Sequence, residues 1–261
     1  MNSRDYLIEH LIAIPSFRAL LRAVEARKIA ALNLPRPILD LGCGDGHFAQ
    51  ATFTEPLDVG IDPSPHAIAE AARRGMHREL RVVNSNAMPF ADGAFASVLS
   101  NSVLEHIPDV DATLHETYRV LRRGGVFVFT TPSHHFAEFL FFADFFRALR
   151  LETLARAYEN YFNRISRHYR TDSPEVWQAR LARYGFVVRE WHAYFSRAAS
   201  HLFDLAHYYS APTLLYKKLF GRWVLLPHRA NFALIEPLWR RYYDEPPVTK
   251  GAYLFFVCEK K

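Results

Sequence analysis

Residues 38–49 read ILDLGCGDGHFA, and this stretch decides the fold class. An apolar run ends at Leu41, glycines follow at alternate positions (Gly42, Gly44 and Gly46), and a helical pattern of side chains begins directly afterwards. Glycine tolerates positive φ and lets a ligand approach the bare backbone. Because ligands of open α/β sheets bind at the carboxyl ends of strands, the sequence predicts a ligand-binding turn between a strand and a helix.

Short apolar runs and helical patterns alternate from residue 37 to residue 132, and two further strand patterns follow later. We predict strands over 37–41, 59–62, 81–83, 96–100, 126–131, 187–195 and 252–258, and helices over 46–53, 65–75, 108–123 and 174–185. Strands that alternate with helices at this spacing form a parallel sheet with helices on both faces. The predicted fold class is therefore a doubly wound α/β sheet.

The alternation breaks down after residue 132, where two long stretches have helical patterns crowded with aromatic residues. Loops of this length without structure of their own are unusual, so we interpret both stretches as helical insertions. The predicted division is an N-terminal helical segment (1–35), a ligand-binding core (36–132), a helical insertion (133–172), a core helix and strand (173–195), a helical, aromatic-rich insertion (196–250) and a C-terminal core strand (251–261). We expect one domain whose insertions form a lid.

The two halves of the chain differ in composition. Residues 1–130 have a net charge of −2 and 9 aromatic residues, whereas residues 131–261 have a net charge of +7 and 29 aromatic residues. A basic, aromatic-rich half suits an anionic or an apolar partner. The first insertion therefore has three interpretations: core packing, a lid over a hydrophobic acceptor, or peripheral contact with a membrane surface through Arg147, Arg150 and Arg156.

Composition also bounds the cellular setting. Two cysteines among 261 residues are too few for a disulfide framework. No apolar run reaches the length of a membrane-spanning helix, which needs about 20 residues. The N-terminus has acids early and no small-residue cleavage site, so it does not resemble a signal peptide. These features predict a cytoplasmic chain and say nothing of its oligomeric state.

The spacing of acidic residues around the turn does not by itself identify the class of ligand that binds there. Asp62 ends the second predicted strand 20 residues after Gly42, a spacing that a dinucleotide-binding fold also has. The dinucleotide pattern G-x-G-x-x-G, however, would need glycine at the position of His47. The pattern present is D-x-G-x-G-x-G, led by Asp40, and an acid there suits a cationic ammonium or sulfonium group better than a pyrophosphate. A nicotinamide-dependent oxidoreductase remains the alternative.

Four motifs in order resemble the class I S-adenosylmethionine-dependent methyltransferases, in particular the small-molecule enzymes akin to those of quinone biosynthesis (the methyltransferase type 11 group). They are ILDLGCGDG, VGIDPS at 59–64, VVNSNAMPFADGAFASVLSNSVLEHI at 82–107 and VLRRGGVFVFTTPS at 120–133. The resemblance implies a mostly parallel, seven-stranded Rossmann-like sheet with one antiparallel strand. It also implies S-adenosyl-L-methionine as cofactor and a small-molecule acceptor.

The resemblance further implies which residues bind the cofactor. Asp40 would lie near the amino group of the cofactor, and Asn101 would lie beside its methionine moiety. Asp62, with Pro63, would bind the ribose hydroxyls. The turn would contact the methionine and ribose parts through Gly42, Cys43, Gly44 and Gly46. The family usually has an aspartate at the position of Asn84, where it accepts from the adenine amino group. An amide oxygen accepts the same bond without charge. We therefore expect weaker adenine recognition, or a contribution from Ser85.

Methyl transfer needs a general base only if the acceptor atom must lose a proton. The candidates are His106, after strand four in VLEHI, and His134 and His135, after strand five in TTPSHH. Each of these histidines could instead have a structural role. His106 could form a hydrogen bond at a helix end, and His134 and His135 could cap the insertion. His168 and Tyr169 are further candidates if the first insertion folds over the crevice.

No metal site is expected. Some quinone O-methyltransferases of the type that this chain resembles hold a metal with two acids and a histidine around this motif, but Ser102 occupies the first acid position here. Only Glu105 and His106 remain, and the other histidines have no ligand spacing such as H-E-x-x-H.

The sequence predicts a methyltransferase of a small, apolar or aromatic, lipid-like acceptor, with O-methylation favoured over N or C. A catalytically inactive cofactor-binding interaction protein is the second interpretation. Nucleic acid is not an expected partner, because SNSVLEH follows strand four where a base-flipping enzyme would have N-P-P-Y or a similar motif.

Overall fold

A computed structural model describes residues 4–261. Two compact units share these residues, and the chain passes between them more than once. The first, which we call the helical unit, comprises Met1–Ala31, His135–Ser166 and Tyr194–Ala252, of which residues 1–3 lie outside the described part. The second, the sheet unit, comprises Leu32–His134, Arg167–Ala193 and Tyr253–Lys261.

One seven-stranded sheet organises the sheet unit, as the sequence predicts. Its strands are β1 (Ile38–Leu41), β2 (Leu57–Asp62), β3 (His77–Val82), β4 (Phe95–Asn101), β5 (Leu121–Pro132), β6 (Phe186–Tyr194) and β7 (Tyr253–Lys260), arranged in the order β3-β2-β1-β4-β5-β7-β6. Strands β3, β2, β1, β4 and β5 pair in parallel, and β7 pairs antiparallel to β5. The Rossmann-like, mostly parallel sheet is confirmed.

Four helices accompany the strands: α3 (His47–Thr52), α4 (Pro65–Arg74), α5 (Val110–Val120) and α8 (Pro174–Arg183). Helix α4 begins where the sequence predicts, because the Ser64 hydroxyl accepts from the Ala67 amide and Pro65 occupies the first turn. Gly75 follows it at positive φ and ends it.

The predicted helix over 108–123 is too long. Helix α5 ends at Val120, and Leu121 already pairs with Phe95 as the first residue of β5. The Leu121 side chain is fully buried, so sheet packing outweighs the helical pattern of the preceding residues. Strand β3 likewise begins at His77 rather than at residue 81, because the buried His77 ring is part of the core.

The described part of the helical unit contains seven α-helices: α1 (Tyr6–Leu11), α2 (Ser16–Ala30), α6 (Phe141–Ala148), α7 (Glu152–Ile165), α9 (Arg197–Tyr209), α10 (Pro212–Phe220) and α11 (Glu236–Tyr243). Aromatic rings fill its interior. Phe162, which is 1% exposed, lies 5.9 Å from Phe136 and 6.1 Å from Phe203 between ring centroids. Part of the aromatic excess therefore packs the core. Among residues 4–261, none of the helices has the length and apolar character needed to cross a membrane.

Candidate functional site

The glycine turn joins β1 to α3 at the carboxyl edge of the sheet. Gly42, Gly44 and Gly46 all have positive φ, at 78°, 55° and 74°. A Cβ on Gly42 would lie 2.4 Å from Cγ1 of Val103, so any side chain there would displace the loop after β4. A Cβ on Gly44 would meet no atom within 4 Å. The turn is therefore packed from behind at Gly42, and its backbone is open at Gly44.

Asp62 holds this turn in place. One carboxylate oxygen, Oδ2, accepts from the Gly44 amide at 3.1 Å, and the other, Oδ1, accepts from the Ser64 amide at 2.9 Å. The carbonyl of Ile61 accepts from the amides of Gly42 and Cys43. Each carboxylate oxygen has a second lone pair, so Asp62 can accept further bonds from vicinal hydroxyls. Its neighbour Pro63 is exposed.

Asp40 has a partner that the sequence did not indicate. It is 5% exposed, and its Oδ2 lies 2.9 Å from Nε2 of the buried His77. Gly60 makes room for this ring, since a Cβ there would lie 2.7 Å from Cδ2 of His77. A role for Asp40 near a cofactor amino group stays a prediction, and in it the carboxylate would serve a ligand and His77 together. No local motif marks His77, because the pair forms only when β1, β2 and β3 align.

The Cys43 thiol is not a reactive group. Burial, with smaller contributions from the charges of Asp40 and Asp62, raises the pKa of the thiol well above its ordinary value. A neutral thiol is a poor nucleophile and a poor metal ligand. Cys43 therefore serves as an apolar lining of the turn.

The three polar residues predicted for the adenine and methionine ends lie at the carboxyl ends of β3 and β4. Asn84 is exposed, and Ser85 shares a 2.9 Å hydrogen bond between its hydroxyl and that of Thr113 on α5. The Oδ1 of Asn101 accepts from the Thr130 hydroxyl at 2.9 Å. Ser85 and Asn101 are thus oriented by neighbours, whereas Asn84 faces solvent. Their contacts with a cofactor stay predictions.

The chain after β4 starts with a strained residue. Ser102 is buried and has a φ of 52°, the left-handed region that few non-glycine residues adopt. Its amide donates to the Thr130 hydroxyl at 2.9 Å and so holds the turn. The following residues Leu104–His106 form a short 3-10 helix. Such strain is retained where the surroundings fix the backbone, commonly at functional sites.

Glu105, His106 and His168 form a cluster in the sheet unit. Their ligand atoms all lie within 4.8 Å of one another, and the closest recorded approach joins Oε1 of Glu105 to Nε2 of His106 at 3.8 Å. Glu105 is 1% exposed, His168 is half-buried and His106 is exposed. Burial, with a smaller contribution from the charge of His106, lowers the pKa of His168 to about 4, so this imidazole is neutral at physiological pH.

Hydrogen bonds to backbone carbonyls join the two segments that present this cluster. The Tyr169 amide donates to the Glu105 carbonyl at 2.8 Å, and Nδ1 of His106 lies 3.1 Å from the Arg167 carbonyl oxygen. The Arg170 guanidinium donates to the carbonyls of Leu104 at 2.9 Å and Pro108 at 2.7 Å.

The cluster changes what the sequence indicated about a metal. The prediction of no metal site counted only the VLEH motif, and the structure brings in His168 from the segment before α8. One carboxylate and two imidazoles are a donor set that binds divalent transition ions. The sequence made His168 a candidate for reaching the crevice but not a metal ligand, because a third ligand so far along the chain has no spacing signal.

The other two predicted histidines lie elsewhere. His135 belongs to the helical unit, where its Nδ1 lies 2.8 Å from Oε2 of Glu138 and its ring stacks on Phe139 at 4.8 Å. The helix that follows, α6, has Leu140 as its N-cap and no side-chain cap hydrogen bond, so neither the catalytic role nor the capping role of His135 is established. His134 is exposed just beyond β5. Neither is among the ligand atoms that the described residues bring together around Glu105.

Comparison with known proteins agrees with the fold. Residues 39–129 match the family model described as a methyltransferase domain. This segment is therefore similar to methyltransferase domains. It contains the glycine turn, Asp62 and the Glu105–His106 pair, and it ends within β5.

The matched relatives cover the same segment. The chain is 38% identical over 104 residues to malonyl-[acyl-carrier protein] O-methyltransferase of Legionella pneumophila, a match covering 37% of this chain and 36% of the relative. It is 34% identical over 102 residues to the ubiquinone/menaquinone biosynthesis C-methyltransferase of Desulfotalea psychrophila, covering 36% of this chain and 42% of the relative.

The chain thus spans less than half the length of these curated relatives. A solved structure from Thermotoga maritima, an S-adenosylmethionine-dependent methyltransferase, superposes with a TM-score of 0.56 at 19% identity, covering 98% of this chain and 93% of the other. At that identity the likeness shows the fold alone.

Proposed function

We propose that this chain is an S-adenosylmethionine-dependent methyltransferase that acts on the hydroxyl of a small, apolar or aromatic acceptor. The observation that carries the proposal is the glycine turn, open at Gly44 and held by Asp62. Backbone that is open at a glycine with positive φ suits a ligand that contacts the main chain directly. The lone pairs left on Asp62 suit the two hydroxyls of a ribose.

The residues present fit this cofactor. Gly44 would contact its methionine and ribose parts, and Asp62 would hold its ribose hydroxyls. When bound, the cofactor supplies an electrophilic methyl group on a sulfonium. The work left to the protein is to align the acceptor atom and to exclude competing water, because the driving force resides in the cofactor.

The preference for oxygen rests on the cluster after β4. A hydroxyl acceptor must lose a proton, and His106 is an exposed imidazole backed by the Glu105 carboxylate at 3.8 Å. The segment lies against the cofactor turn, since Val103 packs behind Gly42. The apolar character of the acceptor is inferred from the 29 aromatic residues of the second half. Relatives named as an O- and a C-methyltransferase leave the methylated atom to this argument.

Calorimetric titration of the chain with S-adenosylhomocysteine tests the cofactor site. We expect binding, and Asp62→Ala should weaken it by about 10-fold or more, since hydrogen bonds to a charged group contribute about 1.5–3 kcal/mol. His115→Ala, at an exposed position of α5, is the matched control and should bind normally. If the wild type did not bind S-adenosylhomocysteine and its intrinsic fluorescence were quenched by NADH, the proposal would be replaced by a nicotinamide-dependent oxidoreductase.

Incubation of cell extracts with methyl-labelled cofactor tests the transfer itself. A labelled small-molecule product is expected, and His106→Ala should lower its formation far more than it lowers cofactor affinity. Intact cofactor binding with no labelled product from any extract would favour the inactive cofactor-binding interpretation.

A further inference from the structure

We propose that Glu105, His106 and His168 bind one divalent transition-metal ion. Three donor atoms within 4.8 Å of one another are close to a coordination geometry. Zinc–nitrogen bonds of about 2.0–2.1 Å place tetrahedral ligands about 3.3 Å apart. The 3.8 Å between Glu105 Oε1 and His106 Nε2 exceeds this spacing by about half an ångström, and all separations among the three donor atoms are at most 4.8 Å, so small side-chain adjustments would complete the site.

The orientation of His106 supports a ligand role. Its Nδ1 lies 3.1 Å from the Arg167 carbonyl oxygen, and its Nε2 is the atom on the side of Glu105. Metal-binding histidines commonly donate their other ring N–H to a carbonyl or carboxylate, which fixes the tautomer and the ring plane. The imidazole is thus held in the tautomer and direction that metal binding requires.

The backbone around the cluster is built to hold it. Ser102 and Arg167, which precede the two ligand-bearing segments, both have φ in the left-handed region, at 52° and 56°. The bond from the Tyr169 amide to Glu105 and the bonds from Arg170 join the segments. Strain held by such a network is a property of sites whose geometry is fixed in advance.

The donor set predicts the kind of ion. Mg²⁺ and Ca²⁺ prefer oxygen ligands, whereas two imidazoles and one carboxylate suit Zn²⁺, Fe²⁺ or Mn²⁺ and leave positions open for another ligand. This set differs from two acids and one histidine, because Ser102 removes an acid and His168 adds a nitrogen. We therefore expect selectivity for transition ions over Mg²⁺.

The role of the ion rests on the proposed function, although its binding does not. With the ion present, His106 would be a ligand, and the metal would replace the free imidazole as the group that lets the acceptor hydroxyl lose its proton, so the preference for oxygen would be kept. The acceptor hydroxyl would coordinate at an open position, where a metal lowers the pKa of a bound hydroxyl group. The released proton then passes to solvent, and the oxygen is left as the nucleophile.

Calorimetric titration of the untagged, chelator-treated chain with ZnCl2 tests the site. One Zn²⁺ per chain is expected, with Mg²⁺ a poor competitor. Glu105→Gln and His168→Gln should each weaken binding by about 10-fold or more, as loss of metal-site residues does. His115→Gln is the matched control and should bind like the wild type.

Titration of the same variants with S-adenosylhomocysteine shows that they remain folded and separates the two proposals. Loss of Zn²⁺ binding with cofactor affinity retained supports the metal site. Absence of stoichiometric Zn²⁺ binding, or binding that both cluster variants leave unchanged, would overturn it whether or not the chain is a methyltransferase.

A different observation carries a second inference, which concerns the surface of α10 and the chain after it. Eight large apolar side chains are exposed there, and we call them the apolar patch: Leu214, Leu215, Leu219, Phe220, Leu225, Leu226, Leu234 and Leu238. Leu234 is 97% exposed, and α10 has no buried residue at all. Single exposed leucines are ordinary, but a concentration of them marks an interaction surface.

The charges beside the apolar patch identify its partner. Residues 212–238 include Lys217, Lys218, Arg222 and Arg229 and only one acid, Glu236. Apolar side chains mixed with basic ones are typical of helices that lie in the interface of anionic membranes. We infer that the apolar patch docks on an anionic lipid surface.

Flotation with lipid vesicles tests this inference. We expect the chain to bind vesicles of phosphatidylcholine with phosphatidylglycerol more strongly than phosphatidylcholine alone, and to detach as salt rises. Leu214→Ser with Leu219→Ser, or Lys217→Glu with Lys218→Glu, should reduce flotation by about 10-fold or more, because each Lys near an anionic surface contributes about 1 kcal/mol.

Val176→Ser, an exposed apolar position on α8, is the matched control and should not change flotation. Equal flotation of the patch variants and the wild type would overturn the inference. So would failure to bind vesicles together with a concentration-dependent dimer that the leucine variants dissociate, since the apolar patch would then belong to a second copy of the chain.

Discussion

The sheet unit and the helical unit treat apolar side chains differently. Among the described residues, 21 large apolar side chains are exposed, and 17 of them belong to the helical unit. The sheet unit has four: Val82, Tyr169, Val176 and Trp191. A sheet covered on both faces buries its own apolar surface. The helical unit leaves more of its large apolar side chains exposed, and the proposed lipid contact would account for part of that difference.

Removing one core ring from each unit gives the largest expected effect. Phe162→Ala in the helical unit and Phe129→Ala in the sheet unit each delete a buried ring, at a cost of about 3–5 kcal/mol in the free energy of unfolding. Phe129 stacks on Phe256 at 4.9 Å between ring centroids. Hydrogen exchange should show protection lost within the unit that holds the substitution, and only Phe129→Ala should weaken binding of S-adenosylhomocysteine.

Equal loss of cofactor affinity in the two variants would show that the division into compact units has no energetic meaning. Val176→Ala, at an exposed position of the sheet unit, is the control and should leave both measurements within about 0.5 kcal/mol of the wild type.

A pair of glycines gives the next largest effect. Gly42→Ala places a Cβ 2.4 Å from Val103, at positive φ, and should cost about 2–4 kcal/mol from overpacking and backbone strain together. Gly221→Ala has nearly the same φ, 69°, but no atom within 4 Å of the new Cβ. It should cost only the strain, about 1–2 kcal/mol. Denaturant unfolding measures both, and equal losses would mean that Val103 moves aside without cost.

The residues that the sequence could locate are those that share a short motif. The strand, three glycines and helix of residues 38–49 and the capped start of α4 are local, since each depends on φ, capping and periodicity within a few positions. The seven-stranded sheet follows from the alternation of such elements. The end of α5 was misplaced because the burial of Leu121 in the sheet, a long-range effect, overrides a helical pattern.

The contacts that the sequence could not indicate are those that join segments far apart in the chain. His77 reaches Asp40 only through the alignment of three strands, and His168 reaches Glu105 through a return of the chain before α8. His135 contacts only near neighbours, Glu138 and Phe139, and its catalytic role stays a prediction. No spacing rule separates these cases, because tertiary contacts decide them.

The smallest expected effect is the loss of unfolding free energy at low pH that comes from one ion pair in each unit. A hydrogen bond from Arg119 is the main cause that lowers the pKa of Glu116 in the sheet unit. Asp5 of the helical unit also has a lowered pKa, because the bonds and charge of Arg240 outweigh the opposing effect of burial. A carboxylate with a lowered folded-state pKa stabilises the fold above its unfolded pKa, and this contribution is lost as pH falls through the folded value.

Below pH 4.5, Glu116→Gln and Asp5→Asn should each flatten the pH dependence of the unfolding free energy, by about 1 kcal/mol or less because both pairs are partly solvated. Urea unfolding at pH 7 and pH 3 measures the difference, and a variant as acid-sensitive as the wild type would mean that its ion pair contributes nothing to the unit that contains it.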